Sequence, residues 1–524
     1  MKVLVSDSIS PKGVEILKKA GLHVDVKTGL KPDELKAIIG EYSGLVIRSA
    51  TKVTAEIIEA AHSLKVVGRA GSGLDNVDKA AATKKGIVVM NTPGGNTITT
   101  AEHTLAMIFS VARLIPQATA SMKSEKWEKK KFMGVELFNK TLGIVGLGAI
   151  GSQLAKRALG LEMNVIAFDP FLNDERAKSL GIEKVGLDDL FRRADFITVH
   201  TPLTAETKGV INAKTIATMK DGVRIINCAR GGIINEKDLY DALVSGKVAG
   251  AALDVLEKEP PVDFSLCKLD NVVCTPHLGA STTEAQENVA IAVSEQIVDY
   301  LMRGTIRNAV NFPSIPHEQV ALLSPYLKLA EQMGGFASQV FDQEVKEIEI
   351  EYRGEAASIN SAPVTMAAIK GFLAPILEET VNFVNAPLIA KERGIEIKET
   401  KSEDSGDYQT MLCIKLKGKK ENGLCGTVFA GKDPRIIRLD SFQVEIIPEG
   451  TMLFMYNNDR PGLIGSIGTF LGEQKINIAR MHFGREAQGG RAMSVVSVDT
   501  PLNASQMESL SKLPNILFAK QVNL

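Results

Sequence analysis

At 524 residues the chain is too long for one hydrophobic core and should divide into about three or four domains of roughly 150 residues each. Its 61 basic and 62 acidic residues leave a formal charge of -1, which argues against a nucleic-acid or anionic-membrane partner for the chain as a whole. The five cysteines, Cys228, Cys267, Cys274, Cys413 and Cys425, form no CxxC pair and no zinc spacing. No metal site and no disulfide framework is therefore expected, and a reducing cytoplasm is the simplest setting.

The N-terminus turns polar after a short apolar run, and no apolar stretch is long enough to span a bilayer, so a soluble, untargeted protein is expected. Short apolar strands at 2–5, 44–47, 65–67 and 87–89 alternate with helical stretches at 13–20 and 55–61, the pattern of a parallel α/β layer. A long amphipathic helix at 100–114 leads into a second such unit, with strands at 142–145, 165–168, 196–199, 224–227, 249–254 and 272–275. Two doubly wound layers are expected side by side. A helix at 281–302 ends at Arg303-Gly304, and the stretch 311–316 reads as a domain boundary.

Beyond it the pattern becomes α+β, with a helix at 327–341, strands at 344–352 and 411–417, and a charged turn at 400–407. From about Ile446 the order is strand 451–456, helix 462–474, strand 477–484, strand 491–498, helix 504–513 and strand 516–522. That is the βαββαβ ferredoxin-like unit. The expected domains are 1–98 with 286–314, 99–285, 315–445 and 446–524.

The segment Thr141-Leu-Gly-Ile-Val-Gly-Leu-Gly-Ala-Ile-Gly151 reads as a buried strand running into a dinucleotide turn. Gly146 and Gly148 make room for the turn and an approaching pyrophosphate, and Gly151 lets the next helix pack close. That helix, from Ile150, offers unpaired N–H groups and its positive dipole end to phosphates. Such a glycine pattern alone is weak, but a second strand ends in Asp169, eighteen residues past Gly151, where a carboxylate can accept from both adenosine ribose hydroxyls. The acid would repel a 2′-phosphate, so NAD is expected over NADP.

Arg230, Glu259 and His277 fall at strand ends or loops of the same unit, where open α/β sheets bind ligands. Oxidising a secondary alcohol needs a base for the hydroxyl proton, a carboxylate to stabilise the imidazolium, and a donor for a substrate carboxylate. Singly, each has a plainer reading: His277 a loop cap, Glu259 a solvated turn, Arg230 a surface ion pair. Together beside an NAD turn they make a self-consistent hydroxy-acid site.

Eight segments then carry a resemblance: 46–54, 67–78, Asn91-Thr-Pro-Gly94, Leu147–Gly151, His200-Thr-Pro-Leu203, Asn227–Gly232, Ala251–Val255 and Pro276–Ser281. On these the chain resembles the D-2-hydroxyacid dehydrogenase family, and along its whole length the members with an intervening and an ACT domain. The resemblance implies NAD-linked oxidation of a phosphorylated 2-hydroxy acid, 3-phosphoglycerate, at the entry to serine biosynthesis. It implies that His277 is the acid/base, Glu259 its charge partner and Arg230 the orienting group, and that Asp254 sits by the nicotinamide carboxamide. Ala149, Ile150, Thr201, Cys228, Ala229, Gly279 and Ala280 would also contact cofactor. Arg48, Ser49, Arg69, Ser72, Gly73 and Asn76 would hold substrate, with Arg48 on the phosphate and Lys129 reaching a neighbouring subunit's site in a homodimer or homotetramer. Ala149 replaces an arginine that many relatives carry, removing one pyrophosphate contact. In the terminal unit, the loop holding Asn458, Asp459, Gly462 and Gly465 could hold L-serine as an effector, or the unit could serve assembly alone. Rival readings are a glyoxylate-type reductase, an NAD-sensing co-repressor, and an amino-acid-binding module with a relic dehydrogenase.

Overall fold

The computed structural model describes residues 1–313, 317–341, 343–377 and 381–524, so the last part of the boundary expected at 311–316 lies outside the described residues. The first layer is an all-parallel sheet of β1 (Lys2–Val5), β2 (His23–Val26), β3 (Gly44–Ile47), β4 (Val66–Arg69) and β5 (Val88–Met90), ordered β2-β1-β3-β4-β5. Strands such as β3 and β5 are buried throughout, because helices cover both faces of a parallel sheet, and they read as unbroken apolar runs. The edge strand β2 escaped the sequence reading because its His-Val-Asp-Val pattern carries charge where a sheet edge meets water.

The second layer joins β6 (Thr141–Val145), β7 (Asn164–Phe168), β8 (Glu183–Lys184), β9 (Phe196–Val199), β10 (Val223–Asn227), β11 (Val248–Leu253) and β12 (Val272–Cys274). Their order is β12-β11-β10-β9-β6-β7-β8, so the winding reverses between β6 and β9. A ligand crevice is expected at that switch point, beyond the strands' carboxyl ends. The helix Thr97–Arg113 buries Met107, Ile108 and Val111 against the second sheet. The helix Thr283–Arg303 carries the chain back and packs Val293 and Ile297 on Val3 and Val66 of the first. The two doubly wound layers are as expected.

The C-terminal half departs further from the sequence reading. Its mixed sheet contains β13 (Val345–Gly354), β14 (Glu396–Ser402), β15 (Thr410–Gly418), β16 (Glu421–Phe429), β17 (Asp433–Leu439) and β18 (Phe442–Ile446), ordered β14-β13-β15-β16-β17-β18. The expected charged turn at 400–407 begins as strand: β14 pairs in parallel with β13 at the sheet edge and exposes its charges. The helix expected from residue 327 runs His317–Val340 through Pro325, because burial of Leu323, Tyr326 and Leu329 outweighs the local break. Cys413 and Cys425 are disulfide-bonded, contrary to the expectation of none. The antiparallel register sets them opposite each other on β15 and β16, which cysteine counting cannot reveal.

The terminal unit has β19 (Thr451–Asn458), β20 (Ile478–Arg485), β21 (Arg491–Val498) and β22 (Ile516–Asn523) in the antiparallel order β20-β21-β19-β22, with helices Leu463–Glu473 and Ala504–Ser511. This is the expected ferredoxin-like arrangement. One face of its sheet shares a core with the preceding unit: Met452, Phe454, Met493, Val495 and Val522 pack with Leu329, Met333, Phe336 and Phe442. The Phe336 and Phe454 rings meet edge to face at 6.1 Å, and the Gln339 side chain exchanges hydrogen bonds with the backbone of Asn523 at 3.0 and 3.1 Å. Among the described residues no single helix is long and apolar enough to cross a membrane.

Candidate active site

The carboxyl ends of the two parallel sheets face a shared cleft of about 910 Å³. Its walls come from segments that follow strands: Arg48 and Ser49 after β3, Ala70–Asp75 after β4, Asn91 after β5, His200 and Thr201 after β9, Cys228–Arg230 after β10, and Asp254 after β11. Thr275–His277, Gly279 and Ala280 complete it after β12. Arg230, Glu259 and His277, distant in sequence, meet here.

His277 Nδ1 lies 2.7 Å from Glu259 Oε2. Since a carboxylate only accepts, Nδ1 carries the proton, which leaves Nε2 as the site of proton exchange. The hydrogen bond to Glu259 holds the His277 pKa above its usual value; burial opposes it, and Arg230 opposes it more weakly. Glu259 is itself braced, its Oε1 accepting from the Leu256 N–H at 3.2 Å. If His277 is the acid/base expected from the sequence, oxidation requires its neutral form, so the rate should rise with pH through this raised pKa, while reduction should fall. Glu259→Gln removes the largest upward influence, and the inflection in both pH–rate profiles should move down, with kcat reduced about tenfold or more. Unmoved inflections would sever Glu259 from the acid/base step. The same pair stabilises the fold below the unfolded histidine pKa of about 6.5, and that contribution is lost as pH rises through the raised value.

Asp254 organises the loop that carries His277. Its carboxylate, 1 % exposed, accepts from Thr275 Oγ1 at 2.6 Å, Leu278 N–H at 2.7 Å, Gly279 N–H at 2.8 Å and His103 Nε2 at 3.1 Å, and its carbonyl accepts the His277 N–H at 2.9 Å. Burial alone would push its pKa up, but these donors outweigh that and hold the group below the usual carboxylate value. His277 sits at φ 55°, a left-handed conformation that this clamp maintains. Three of these donors converge on Oδ1 and one, the Gly279 N–H, meets Oδ2. His103 and Thr275 escaped the sequence reading because a single histidine on an apolar helix and a threonine ending a strand carry no local signal.

Three guanidinium groups, Arg48, Arg69 and Arg230, line the same cleft. Burial and the neighbouring Arg230 charge hold the Arg69 pKa below its usual value. Arg69 donates to the carbonyls of Arg48 and Gly73, and Arg230 donates from Nε to Asp75 at 3.1 Å and from Nη1 to the Ala229 carbonyl at 2.7 Å. Beneath Arg48, Asp7 accepts from the Arg48 N–H at 2.6 Å, the Thr51 N–H at 3.1 Å and Thr51 Oγ1 at 2.7 Å. Asn76 stands behind this turn, its amide donating to the Arg48 and Thr51 carbonyls at 2.7 and 2.6 Å, and it does not line the cleft. Ser72 and Gly73 do, with Ser72 Oγ held by Asn96 at 2.8 Å. Arg48, Arg69 and Arg230 outnumber Asp75, the carboxylate among them, and that surplus of positive charge suits a substrate with two anionic ends.

The cofactor side fits NAD. Gly146 has φ 95°, and a Cβ there would meet the His200 carbonyl and Thr201 Cγ2 at 2.8 Å, so the turn requires glycine. A Cβ on Gly148 would enter open space, the clearance a pyrophosphate uses. Gly148 caps the helix Ala149–Gly160, and Ala149 at its exposed first turn adds no charged side chain. Gly151 approaches the Gly146 carbonyl. Asp169, at the end of β7, accepts from the Leu147 N–H and the Phe171 N–H, both at 2.8 Å, which fixes its carboxylate beside the turn. His200 Nδ1 and Thr201 Oγ1 are buried at the switch point with no hydrogen-bond partner among the described residues, two polar groups that fit a cofactor's donors and acceptors. Burial takes the His200 pKa down to about 4 and pushes the Cys228 thiol up to about 12, so both are neutral cleft walls.

Two other expected groups lie elsewhere. Lys129 starts an exposed turn, Lys129–Phe132, and is no part of its own chain's cleft. In the terminal unit, Gly462 and Gly465 leave open space above the loop, but Asp459 Oδ2 is already taken by the Gly489 N–H at 2.9 Å and Arg485 at 3.2 Å. Asn458 lies beside it at the end of β19.

Residues 105–279 match the family model for the D-isomer specific 2-hydroxyacid dehydrogenase NAD binding domain, and residues 322–440 match that for the D-3-phosphoglycerate dehydrogenase intervening domain. The chain is 47% identical over 528 residues to D-3-phosphoglycerate dehydrogenase of Archaeoglobus fulgidus, covering 100% of both sequences. It is 44% identical over 526 residues to that of Bacillus subtilis, covering 100% of this chain and 99% of the relative. Among solved structures it is similar to D-lactate dehydrogenase from Aquifex aeolicus complexed with NAD and lactic acid, at TM-score 0.54 and 27% identity, covering 60% of this chain and 100% of that one. The TT0316 protein from Thermus thermophilus aligns at TM-score 0.55 and 35% identity, covering 59% of this chain and 100% of the other.

Proposed function

The chain belongs to the D-3-phosphoglycerate dehydrogenases, within the D-isomer specific 2-hydroxyacid dehydrogenases, and from that premise we infer how its cleft works. The enzyme oxidises 3-phospho-D-glycerate at C2 to 3-phosphohydroxypyruvate, the first step of the phosphorylated route to L-serine, and its cofactor is NAD.

NAD would be held by the Gly146–Gly151 turn, Asp169, Thr201 and the orphaned His200 nitrogen, and when bound it supplies the hydride acceptor. Nε2 of neutral His277 takes the C2 hydroxyl proton as the hydride departs, and Glu259 stabilises the imidazolium that results. In the reverse direction the same nitrogen returns the proton to the carbonyl oxygen. Arg230 orients the substrate carboxylate, with Arg69 and the Ser72–Gly73 turn beside it, and Arg48 meets the phosphate. The observation that carries this reading is the His277–Glu259 pair lining one cleft with three arginines.

Arg48→Ala tests the substrate. Losing charge-assisted hydrogen bonds worth about 1.5–3 kcal/mol should raise KM for the phosphorylated hydroxy acid roughly tenfold or more. Oxidation of an unphosphorylated D-2-hydroxy acid should change little. Equal losses on both substrates would overturn the phosphate assignment and favour a general hydroxy-acid reductase.

Assembly into a homodimer or homotetramer is supported by Trp127 and Met133, 80% and 84% exposed on the arm that bears Lys129. Regulation by L-serine at the Asn458–Gly465 loop rests on the open space above Gly462 and Gly465.

A further inference from the structure

We propose that Asp75 is a positioning residue that parks Arg230 between catalytic cycles and surrenders it to the substrate carboxylate. This rests on the reading of Arg230 as the carboxylate ligand. The two residues belong to different layers: Asp75 follows β4 of the first sheet, and Arg230 follows β10 of the second. Their ion pair at 3.1 Å therefore bridges the mouth of the cleft.

Two of the three Arg230 guanidinium nitrogens are hydrogen-bonded, and the third lies against Gly73. Nε donates to Asp75, Nη1 donates to the Ala229 carbonyl, and Nη2 lies so close to Gly73 that a Cβ there would meet it at 2.1 Å. The Gly73–Asp75 turn thus meets the cation at Nε, through Asp75, and lies against it at Nη2, through Gly73. Arg69 stands next to it, its cationic form opposed by Arg230 and favoured by Asp75. Without Asp75, two neighbouring guanidinium groups would face the cleft uncompensated and attract any small anion. With it, one of them is neutralised by a carboxylate of the same chemistry as the substrate's own.

The exchange is feasible because Asp75 is 76% exposed and Arg230 32%, and an ion pair in water is weak. A substrate held also at its phosphate end has the excess binding to displace it, while an isolated carboxylate or phosphate does not. Asp75 would thereby raise the threshold for occupancy and favour two-ended anions over simple ones.

Asp75→Asn keeps the size of the side chain and removes its charge. KM for the phosphorylated hydroxy acid should fall about threefold, the loss of a weak exposed competitor, with the gain in KM rather than kcat because ground and transition states carry the same carboxylate. Inhibition by malonate and by inorganic phosphate, measured separately, should tighten by a similar factor. Asp75→Glu should restore both toward wild type, which a purely structural loop role would not require. An unchanged or raised KM, or unchanged anion inhibition, overturns the proposal. Arg230→Lys distinguishes the underlying reading: if it leaves KM and kcat near normal, Arg230 is not the carboxylate ligand, whatever Asp75 does.

Discussion

His277→Asn should lower kcat for oxidation about 10³-fold while leaving NADH binding nearly intact. The magnitude is that of losing a positioned general base. Asparagine is the informative replacement. His277 occupies φ 55°, which asparagine adopts readily and alanine does not, so an alanine variant would add backbone strain to the chemical loss. An asparagine amide can still donate to Glu259 but cannot accept a proton. Loss should appear in kcat in both directions, read by NADH absorbance, with cofactor binding followed by fluorescence titration. Turnover within tenfold of wild type would remove His277 from the acid/base role.

Asp254→Asn should be nearly as damaging, and for a different reason. The carboxylate meets four donors. An amide offers one acceptor oxygen and turns an NH2 toward groups that themselves donate, leaving buried donors unpaired. The Thr275–Gly279 loop should loosen, and misplacing His277 by about 1 Å costs about a hundredfold in kcat/KM. Breaking so buried a set also costs about 3–5 kcal/mol, which should lower the first unfolding transition by about 10 °C. Because the folded-state pKa of Asp254 is depressed, its contribution is present above the unfolded carboxylate pKa and is lost as pH falls through the lower folded value. The wild-type and variant melting curves should therefore converge in acid. Equal melting temperatures at neutral pH would show that the clamp is dispensable.

Much of the dehydrogenase half was legible in the sequence because parallel strands buried on both faces read as continuous apolar runs, and glycines mark the turn directly. Arg230, Glu259 and His277 were legible because they stand at strand ends beside that turn. The residues that hold them were not. Asp7, Asp75 and His103 act through partners 41, 155 and 151 positions away, and no local pattern encodes a contact of that range. Asn76 shows the converse: it lies within a matching motif, yet its side chain braces the Arg48 turn instead of facing the cleft. In the C-terminal half, β16, β17 and β18 were missed because their register, and with it the Cys413–Cys425 pairing, is fixed by neighbours rather than by each strand's own residues.

The core shared by Phe336, Phe442, Phe454 and Val522 bears on how such a chain can change over evolutionary time. A ferredoxin-like unit is usually exchangeable, because it buries its own apolar face with its own helices. Here the helices Leu463–Glu473 and Ala504–Ser511 cover one face of the sheet, and the helix His317–Val340 of the preceding unit is in effect the cover for the other. Gene fusion or loss at that junction would strip two apolar surfaces at once, so separating the two C-terminal units should destabilise both.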